Sequence, residues 1–296
     1  MKKLNIKIIV ASILFIGLTV SCSDDFVDVV SSEANSEDFF NSEEEYQSAL
    51  VGAYDLLQST YLNVMLGEIA SDNTLSGGES ATDVIGIQEV DDMIHTPQNS
   101  QLGNIWGWMF AGVNRANYIL EFQDKTDFTG KEEVLAQARF LRAYYYFELV
   151  KWFGDVPLVV DKRFLFGDQF DVDRTPKAEV YAQIELDLIS AADNLSYVPS
   201  QEGRVTKGAA QALLGKVYLY QDKFTESADV LEKLINEGPY DLVTDYTTIF
   251  ELEGENNIES VFEVQYNDEQ GAGFGCLQCS EGNVAVGFSG VRSYVA

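Results

Sequence analysis

The chain has 296 residues, of which 46% are hydrophobic, and it carries 48 acidic against 19 basic side chains, a formal net charge of -29 at pH 7. This hydrophobic content is enough to fill the core of a globular protein and excludes disorder of the whole chain. The excess of negative charge disfavours nucleic acid and anionic lipid head groups as partners, so we expect no nucleic-acid-binding function.

The amino terminus has the features of a signal peptide. Three lysines lie within the first seven residues, and residues 8–20 form an apolar run that suits a signal-peptide core but is short for a membrane span. Cys22, preceded by a small residue, stands where a bacterial lipoprotein carries its lipid. We therefore predict that residues 1–21 are cleaved and that acylated Cys22 anchors the protein to a membrane. The alternative is an ordinary secreted protein with a cysteine near its cleavage site.

The next segment predicts a tether that leads into a first helix. Residues 22–41 are rich in Ser, Asp, Glu and Asn, which is typical of a flexible linker. The first helix is predicted to begin at Ser42, which forms a capping-box pair with Glu45. Apolar residues then recur with helical spacing on one face: Tyr46, Leu50, Ala53, Leu57 and Tyr61.

Three further helices are predicted beyond a long loop. Residues 71–100 lose the helical period and collect glycine, serine, proline and asparagine, and long ordered loops are often functional. Helices are predicted over 105–122, over 135–152 and from Pro176 to about residue 195. The helix over 135–152 is apolar around most of its circumference, so it must be covered on two sides.

An internal repeat relates this apolar helix to a segment 72 residues later. Core-type residues match between the copies, Ala138, Leu141, Ala143 and Tyr146 in the first and Ala210, Leu213, Gly215 and Tyr218 in the second. The second copy follows the tetratricopeptide spacing, although Ser227 and Leu234 replace the usual alanines. We therefore expect a mainly α fold of tetratricopeptide-like helix pairs with long loops. A generic helical hairpin is the alternative.

The rest of the chain shows no catalytic or metal-binding motif. Residues 261–266 predict a short β element, and residues 267–296 are Gly-rich. One histidine, His95, and one C-x-x-C pair, Cys276 and Cys279, are too few for a zinc site of about four ligands. An incidental pair or a local disulfide explains the two cysteines better. We therefore predict no metal, no cofactor and no enzymatic activity, although the carboxylate pair of a glycoside hydrolase would leave no fixed spacing in the sequence.

Several short motifs together resemble the SusD/RagB family of nutrient-uptake lipoproteins. They are SCSDD at 21–25, EDFF at 37–40, NRAN at 114–117, ARFLRAYYYF at 138–147, FGDVPL at 153–158, KGAA at 207–210 and VFEVQY at 261–266. The arginine-aromatic helix followed by Gly-Asp-Val-Pro is quite specific. The resemblance runs from Cys22 to about Tyr266. Full members of the family are usually much longer, so we expect this chain to be a truncated, amino-terminal part.

The resemblance implies how the chain is divided and what it does. It implies a SusD-like helical domain over 42–266 and the start of an incomplete carboxy-terminal region over 267–296. Members of the family face the cell exterior on the outer membrane. They lid a SusC-like TonB-dependent transporter, for which they capture oligosaccharides or occasionally peptides. Acidic residues after the acylated cysteine, here Asp24 and Asp25, resemble the family's surface-export signal.

Four residues are candidates for ligand contact. Asp72 and Asn73, in the long loop, could hydrogen-bond sugar hydroxyls, and Trp106 or Trp108 could stack on a sugar face. The alternatives are a turn or helix cap for the two polar residues and core packing for the two tryptophans. Arg142, on the aromatic helix, is interpreted as structural.

Three classes of function are therefore in competition. A surface glycan-capture protein would bind an oligosaccharide and leave it intact, whereas a glycoside hydrolase would shorten it. A tetratricopeptide scaffold would bind protein segments and no sugar. The family resemblance favours glycan capture.

The lipid anchor can be tested by replacing Cys22 with alanine. We expect Cys22→Ala to move the protein from the membrane fraction to the soluble fraction, because the acyl chains would be its only attachment. Membrane fractionation followed by immunoblotting measures this, with Cys276→Ala as the matched control that stays membrane-bound. An undiminished membrane pool of Cys22→Ala would contradict lipidation at this residue.

Overall fold

The structure is a computed structural model that describes residues 38–78, 80, 82–165 and 172–266. The predictions for the signal peptide, for Cys22, for the tether up to residue 37 and for the Gly-rich region 267–296 with its two cysteines lie outside these residues. The described residues fall into two units, one that ends at Asn41 and one that begins at Ser42. In the described end of the first unit, the side-chain amide of Asn41 donates a hydrogen bond to the carbonyl of Asp38.

The second unit is mainly α-helical, which confirms the predicted fold class. Its α-helices are, in chain order, α1 (Glu43–Asp55), α2 (Thr60–Ile69), α3 (Ile85–Asp91), α4 (Ser100–Glu121), α5 (Lys131–Phe153), α6 (Lys177–Asn194), α7 (Lys207–Leu219) and α8 (Phe224–Glu237). Short 3-10 helices cover Leu56–Ser59, Tyr246–Phe250 and Leu252–Gly254. No helix among the described residues is both long enough and apolar enough to cross a membrane.

The β element predicted over 261–266 does not form. This segment is irregular, and within the described chain the β pairing is an isolated antiparallel bridge between Val156 and Thr175. The alternating apolar side chains pack instead of forming a ladder, since the ring of Phe262 lies against the ring of Phe140 with centroids 6.0 Å apart. The period of the sequence therefore reflected side-chain packing and not strand pairing.

The amino-terminal helices differ from the prediction in three details. α1 begins directly after Ser42 as expected, but the capping-box prediction is wrong because the Ser42 side chain makes no capping hydrogen bond. The predicted loop 71–100 contains the short helix α3. α4 begins five residues before the predicted start, because the side-chain oxygen of Asn99 accepts from the backbone N–H groups of Gln101 and Leu102 at 3.0 and 3.1 Å.

α5 is the central helix of the second unit, and it packs against α1, α4 and α6. Both of its predicted apolar faces are covered. Leu141 and Tyr145 on one face and Ala143 and Phe147 on the other are each at most 1% exposed. The expectation that this helix is buried on two sides is therefore confirmed.

A buried ion pair joins α5 to α6. Arg142 donates from Nε and Nη2 to the two carboxylate oxygens of Asp187, at 2.8 and 2.7 Å. Its Nη1 donates to the side-chain oxygen of Asn117 on α4 at 3.0 Å and to the carbonyl of Val160 at 2.8 Å. Arg142 therefore has a structural role, as interpreted from the sequence, although through hydrogen bonds as well as packing.

Tyrosine hydroxyls fasten α5 to the helices and loops around it. Tyr145 donates to the carbonyl of Ala53 on α1 at 2.6 Å. Tyr146 donates to the carbonyl of Val159 and accepts from its N–H, at 2.9 and 2.8 Å. Burial raises the pKa of Tyr146 to about 12, so this hydroxyl keeps its proton at neutral pH and can donate.

Another tyrosine, Tyr54 of α1, reaches two distant parts of the chain. Its hydroxyl donates to the side-chain oxygen of Gln137 on α5 at 2.8 Å and accepts from the N–H of Val205, just before α7, at 3.0 Å. Desolvation raises the pKa of Tyr54, which keeps this donor protonated as well. α1 is therefore held in part by Val205, which follows Tyr54 by 151 positions in the chain.

The helices of the second half pack in consecutive order, α5 on α6, α6 on α7 and α7 on α8. Two antiparallel pairs result, as the sequence repeat predicted. At the α7–α8 contact, a Cβ added to Gly215 would lie 2.6 Å from a methyl carbon of Leu231. Ser227 stands at one of the positions where the repeat usually has alanine, and its hydroxyl donates to the Gly215 carbonyl at 2.8 Å.

The close approach at Gly215 can be tested by enlargement. We expect Gly215→Leu to lower the free energy of unfolding by about 1 to 3 kcal/mol or more, because the new side chain overlaps Leu231. Urea denaturation followed by circular dichroism measures the change. Gly107→Leu is the matched control, since a Cβ at Gly107 meets no atom within 4 Å. Equal effects of the two substitutions would show that α7 and α8 do not depend on the glycine.

Candidate functional site

Asp72 and Asn73 lie in an exposed turn directly after α2. The backbone N–H of Asn73 donates to the hydroxyl of Ser71 at 3.2 Å, which fixes the turn. Among the described residues, neither side chain has a hydrogen-bond or ion-pair partner, and both residues are exposed. The turn that the sequence offered as the alternative is therefore present, and it leaves both polar side chains accessible to a ligand.

The loop after this turn is attached to α3. The N–H of Ser76 donates to a carboxylate oxygen of Asp91 at 2.9 Å, and the side-chain amide of Gln88 donates to the carbonyl of Ser80 at 3.1 Å. These residues line a shallow polar hollow of about 270 Å³. The loop therefore has a defined conformation where it meets α3.

Asn99 joins α3 to the start of α4. Besides capping α4, its side-chain amide donates to the carbonyl of Gly86 at 2.9 Å and to a carboxylate oxygen of Glu89 at 2.8 Å. The side chain is almost fully buried, at 3% exposure of the residue. The role of Asn99 was not predicted from the sequence. The signal was present as an asparagine followed by a long helical stretch, the usual pattern of a helix N-cap.

Trp106, on the second turn of α4, forms the exposed edge of an aromatic cluster. Its ring centroid lies 4.7 Å from that of Phe110 and 5.1 Å from that of Phe153 at the end of α5. The residue is 37% exposed, so its ring both packs on the protein and meets solvent. This combination of fixed orientation and open surface suits an aromatic platform for a ligand.

Trp108 does not belong to the same platform. Residues two positions apart point to different sides of an α-helix, so Trp106 and Trp108 do not share a face of α4. Trp108 is half-buried. Among the described residues, no hydrogen bond, ion pair or ring contact joins Asp72 or Asn73 to either tryptophan. The four predicted contact residues are therefore arranged as an exposed turn and two separate aromatic positions.

A larger cleft lies elsewhere, where the α6–α7 connection meets residues 256–263. It has a volume of about 370 Å³, within the usual range for small-ligand sites. Tyr197 and Tyr240 line it together with charged and amide side chains. The cleft was not predicted from the sequence, because its walls come from segments that are far apart in the chain and share no spacing.

Two kinds of side-chain group were candidates for chemistry: metal-ligand clusters and buried carboxylates. Within the described ranges, no group of three or more His, Cys, Asp or Glu side chains is placed to hold a metal ion. The buried carboxylates already have partners, since Asp187 pairs with Arg142 and Glu148 pairs with Lys151 at 2.6 Å. Asn63 also donates to Glu148, at 2.7 Å. These two carboxylates are thus held in ion pairs and hydrogen bonds within the helical body.

Comparison with known proteins gives consistent matches. A family model named SusD-like and described as "Starch-binding associating with outer membrane" matches residues 25–219. A SusD-like protein of Formosa agariphila is 26% identical over 312 residues, covering 99% of this chain and 59% of the relative. A SusD-like protein of Bacteroides ovatus is 27% identical, covering 84% of this chain and 48% of the relative.

Solved structures agree with these matches. A laminarin-binding SusD-like protein superposes with a TM-score of 0.74 at 32% identity, covering 80% of this chain and 54% of its own. Surface glycan-binding protein A from Bacteroides thetaiotaomicron, solved in complex with laminarihexaose, gives a TM-score of 0.71 at 28% identity, covering 82% and 53%. The chain spans about half the length of these relatives.

Proposed function

The chain belongs to the SusD-like family, and on that premise we propose that it captures oligosaccharides at the cell surface and delivers them to a SusC-like TonB-dependent transporter. The observation that carries the proposal is the match to solved structures whose names include laminarin and laminarihexaose. Those ligands are properties of the relatives. What they support for this chain is the chemical class, a neutral or near-neutral carbohydrate.

The exposed aromatic edge on α4 supports a carbohydrate ligand. Sugars present C–H faces that pack on aromatic rings, and their hydroxyls need polar groups for orientation. Trp106 offers such a ring, held in place by Phe110 and Phe153. Asp72 and Asn73 offer exposed polar side chains near the end of α2. We propose Trp106 as the stacking residue and the separate turn at Asp72 and Asn73 as a second place of polar contact with the glycan.

The proposed location is the outer membrane, with the folded unit facing outward. The family description associates its members with the outer membrane. We propose that acylated Cys22 supplies the attachment, and that Asp24 and Asp25 direct the protein to the exterior. An acidic surface would also hold the folded unit away from anionic head groups, leaving the lipid as the contact with the bilayer.

The proposal can be tested by a panel of polysaccharides in affinity electrophoresis, followed by analysis of the products. We expect the full-length protein in detergent to be retarded by at least one neutral polysaccharide, such as laminarin or starch, and to leave the polymer length unchanged. A protein of similar size and charge that binds no polysaccharide is the mobility control. Shortened polymer would indicate a glycoside hydrolase. Absence of retardation by the whole panel would contradict glycan capture and favour a protein-binding scaffold.

The role of Trp106 can be tested with a polysaccharide that is positive in the panel. We expect Trp106→Ala to weaken binding by about 10-fold or more, a loss of at least ~1.4 kcal/mol, because the stacking surface is removed. Trp106→Phe keeps a ring and should retain most of the affinity. Titration calorimetry measures both, and circular dichroism checks that the helices are intact. Unchanged affinity of Trp106→Ala would remove this residue from the site.

A further inference from the structure

The cleft beside the α6–α7 connection is assigned no role by the proposed function. One wall is the connection between α6 and α7, and the other is the irregular segment 256–263 that follows the 3-10 helices. The volume is about 370 Å³. This space is therefore large enough to accept a small ligand or the end of a longer one. We call it cleft 1, and the residues of its lining that matter here are Tyr197, Glu202, Arg204, Tyr240, Asn257 and Glu263.

The aromatic walls of cleft 1 are fixed before any ligand arrives. The hydroxyl of Tyr197 donates to the side-chain oxygen of Gln211 at 3.0 Å, and the hydroxyl of Tyr240 is 3.2 Å from that of Thr206. The ring of Tyr240 packs directly over Gly208, where an added Cβ would overlap it. Both tyrosines are half-buried. Rings held in this way lose little freedom on binding, so stacking a ligand against them has a small entropic cost.

Arg204 adds a guanidinium group to the same cleft. Its Nη1 is buried and, among the described residues, has no hydrogen-bond partner. The guanidinium lies over the ring of Tyr54, 4.9 Å from the centroid. Because Nη1 is closed to solvent, donation to a ligand comes from the other N–H groups of this guanidinium, which lines cleft 1.

The charges around cleft 1 decide which ligand class fits. Arg204 is cationic, whereas Glu202 and Glu263 are anionic, and the carboxylate oxygens of Glu263 accept from the N–H of Asn256 at 3.2 Å. A purely anionic ligand would meet the two carboxylates, and a purely cationic one would meet the guanidinium. A hydroxyl-rich neutral ligand both donates and accepts, so it can satisfy both signs while its C–H face packs on a tyrosine ring.

From this combination we propose that cleft 1 is a second carbohydrate site, specific for neutral sugar residues and separate from the surface at Trp106. The proposal rests on the proposed function for the class of ligand. It does not require one chain of sugar to reach both sites. The tyrosine rings bind the sugar face, Arg204 donates to a sugar oxygen, and the side chains of Asn257 and Glu202 accept from sugar hydroxyls.

The test uses the full-length protein in detergent with four hexasaccharides: laminarihexaose, maltohexaose, cellohexaose and an alginate hexamer. Hydrogen exchange with mass spectrometry locates binding, and titration calorimetry counts sites. With a neutral hexamer we expect slower exchange in peptides covering 196–210 and 256–266, together with two sites per chain. Tyr240→Ala should abolish the protection in these peptides and lower the count to one, whereas Tyr240→Phe should keep both. Arg204→Gln should weaken the second site by about 10-fold or more.

The outcomes separate this proposal from the proposed function. If Trp106→Ala removes all binding and no hexamer protects 196–210, cleft 1 is not a site, although glycan capture stands. If Trp106→Ala leaves the protection of 196–210 in place while Tyr240→Ala removes it, two independent sites are established. Protection by the alginate hexamer alone would overturn neutral specificity. No binding of any hexamer would overturn both proposals. Unchanged helix content in circular dichroism ensures that a loss reflects the site and not unfolding.

Discussion

The buried pair of Arg142 and Asp187 is the interaction on which the helical body depends. Two charges inside a protein are tolerated only when their hydrogen-bonding capacity is used, and here the guanidinium reaches both carboxylate oxygens, Asn117 and the Val160 carbonyl. Asn117 in turn donates to the carbonyls of Val159 and Lys162. Removal of one partner from such a pair generally costs about 3 to 5 kcal/mol, because the other charge is left buried.

This network explains how a helix that is apolar nearly all round can lie in the middle of the unit. α4 and α6 both pack on α5, and Arg142, one of the buried polar side chains of α5, joins the two. The segment after α5 is fastened by the same network through Val159, Val160 and Lys162. Consequently Phe153, at the end of α5, is fixed against Trp106 of α4. The packing of the core thus determines where the exposed aromatic edge lies.

Much of the fold could be predicted from the sequence, and the failures have physical reasons. α5 was clear because its apolar residues fill two faces and Gly154 ends it with a positive φ of 71°. The start of α4 was predicted too late because Gly103 and Gly107 interrupt the helical pattern of apolar residues, whereas the Asn99 cap sets the true boundary. The β element predicted at 261–266 was wrong because alternation of apolar residues also suits an irregular segment that packs Phe262 on α5.

Trp106 could be proposed as a site residue from its residue type alone. Cleft 1 could not, since Tyr197, Tyr240 and Glu263 become neighbours only after α7 and α8 have packed.

The hydroxyl of Tyr54 has a consequence for the order in which the protein can fold. α7 and α8 contact each other through residues close in sequence, and such contacts form early and independently. α1 is different, because Tyr54 needs Gln137 and then Val205, and Tyr145 must reach the Ala53 carbonyl. A chain delivered across a membrane with its amino terminus first therefore carries the apolar face of α1 uncovered until α4 and α5 have emerged, and the Tyr54 hydroxyl waits for Val205 to complete its hydrogen bonds. During that interval the apolar face of α1 is open to premature aggregation, and a factor that shields nascent chains would bind there.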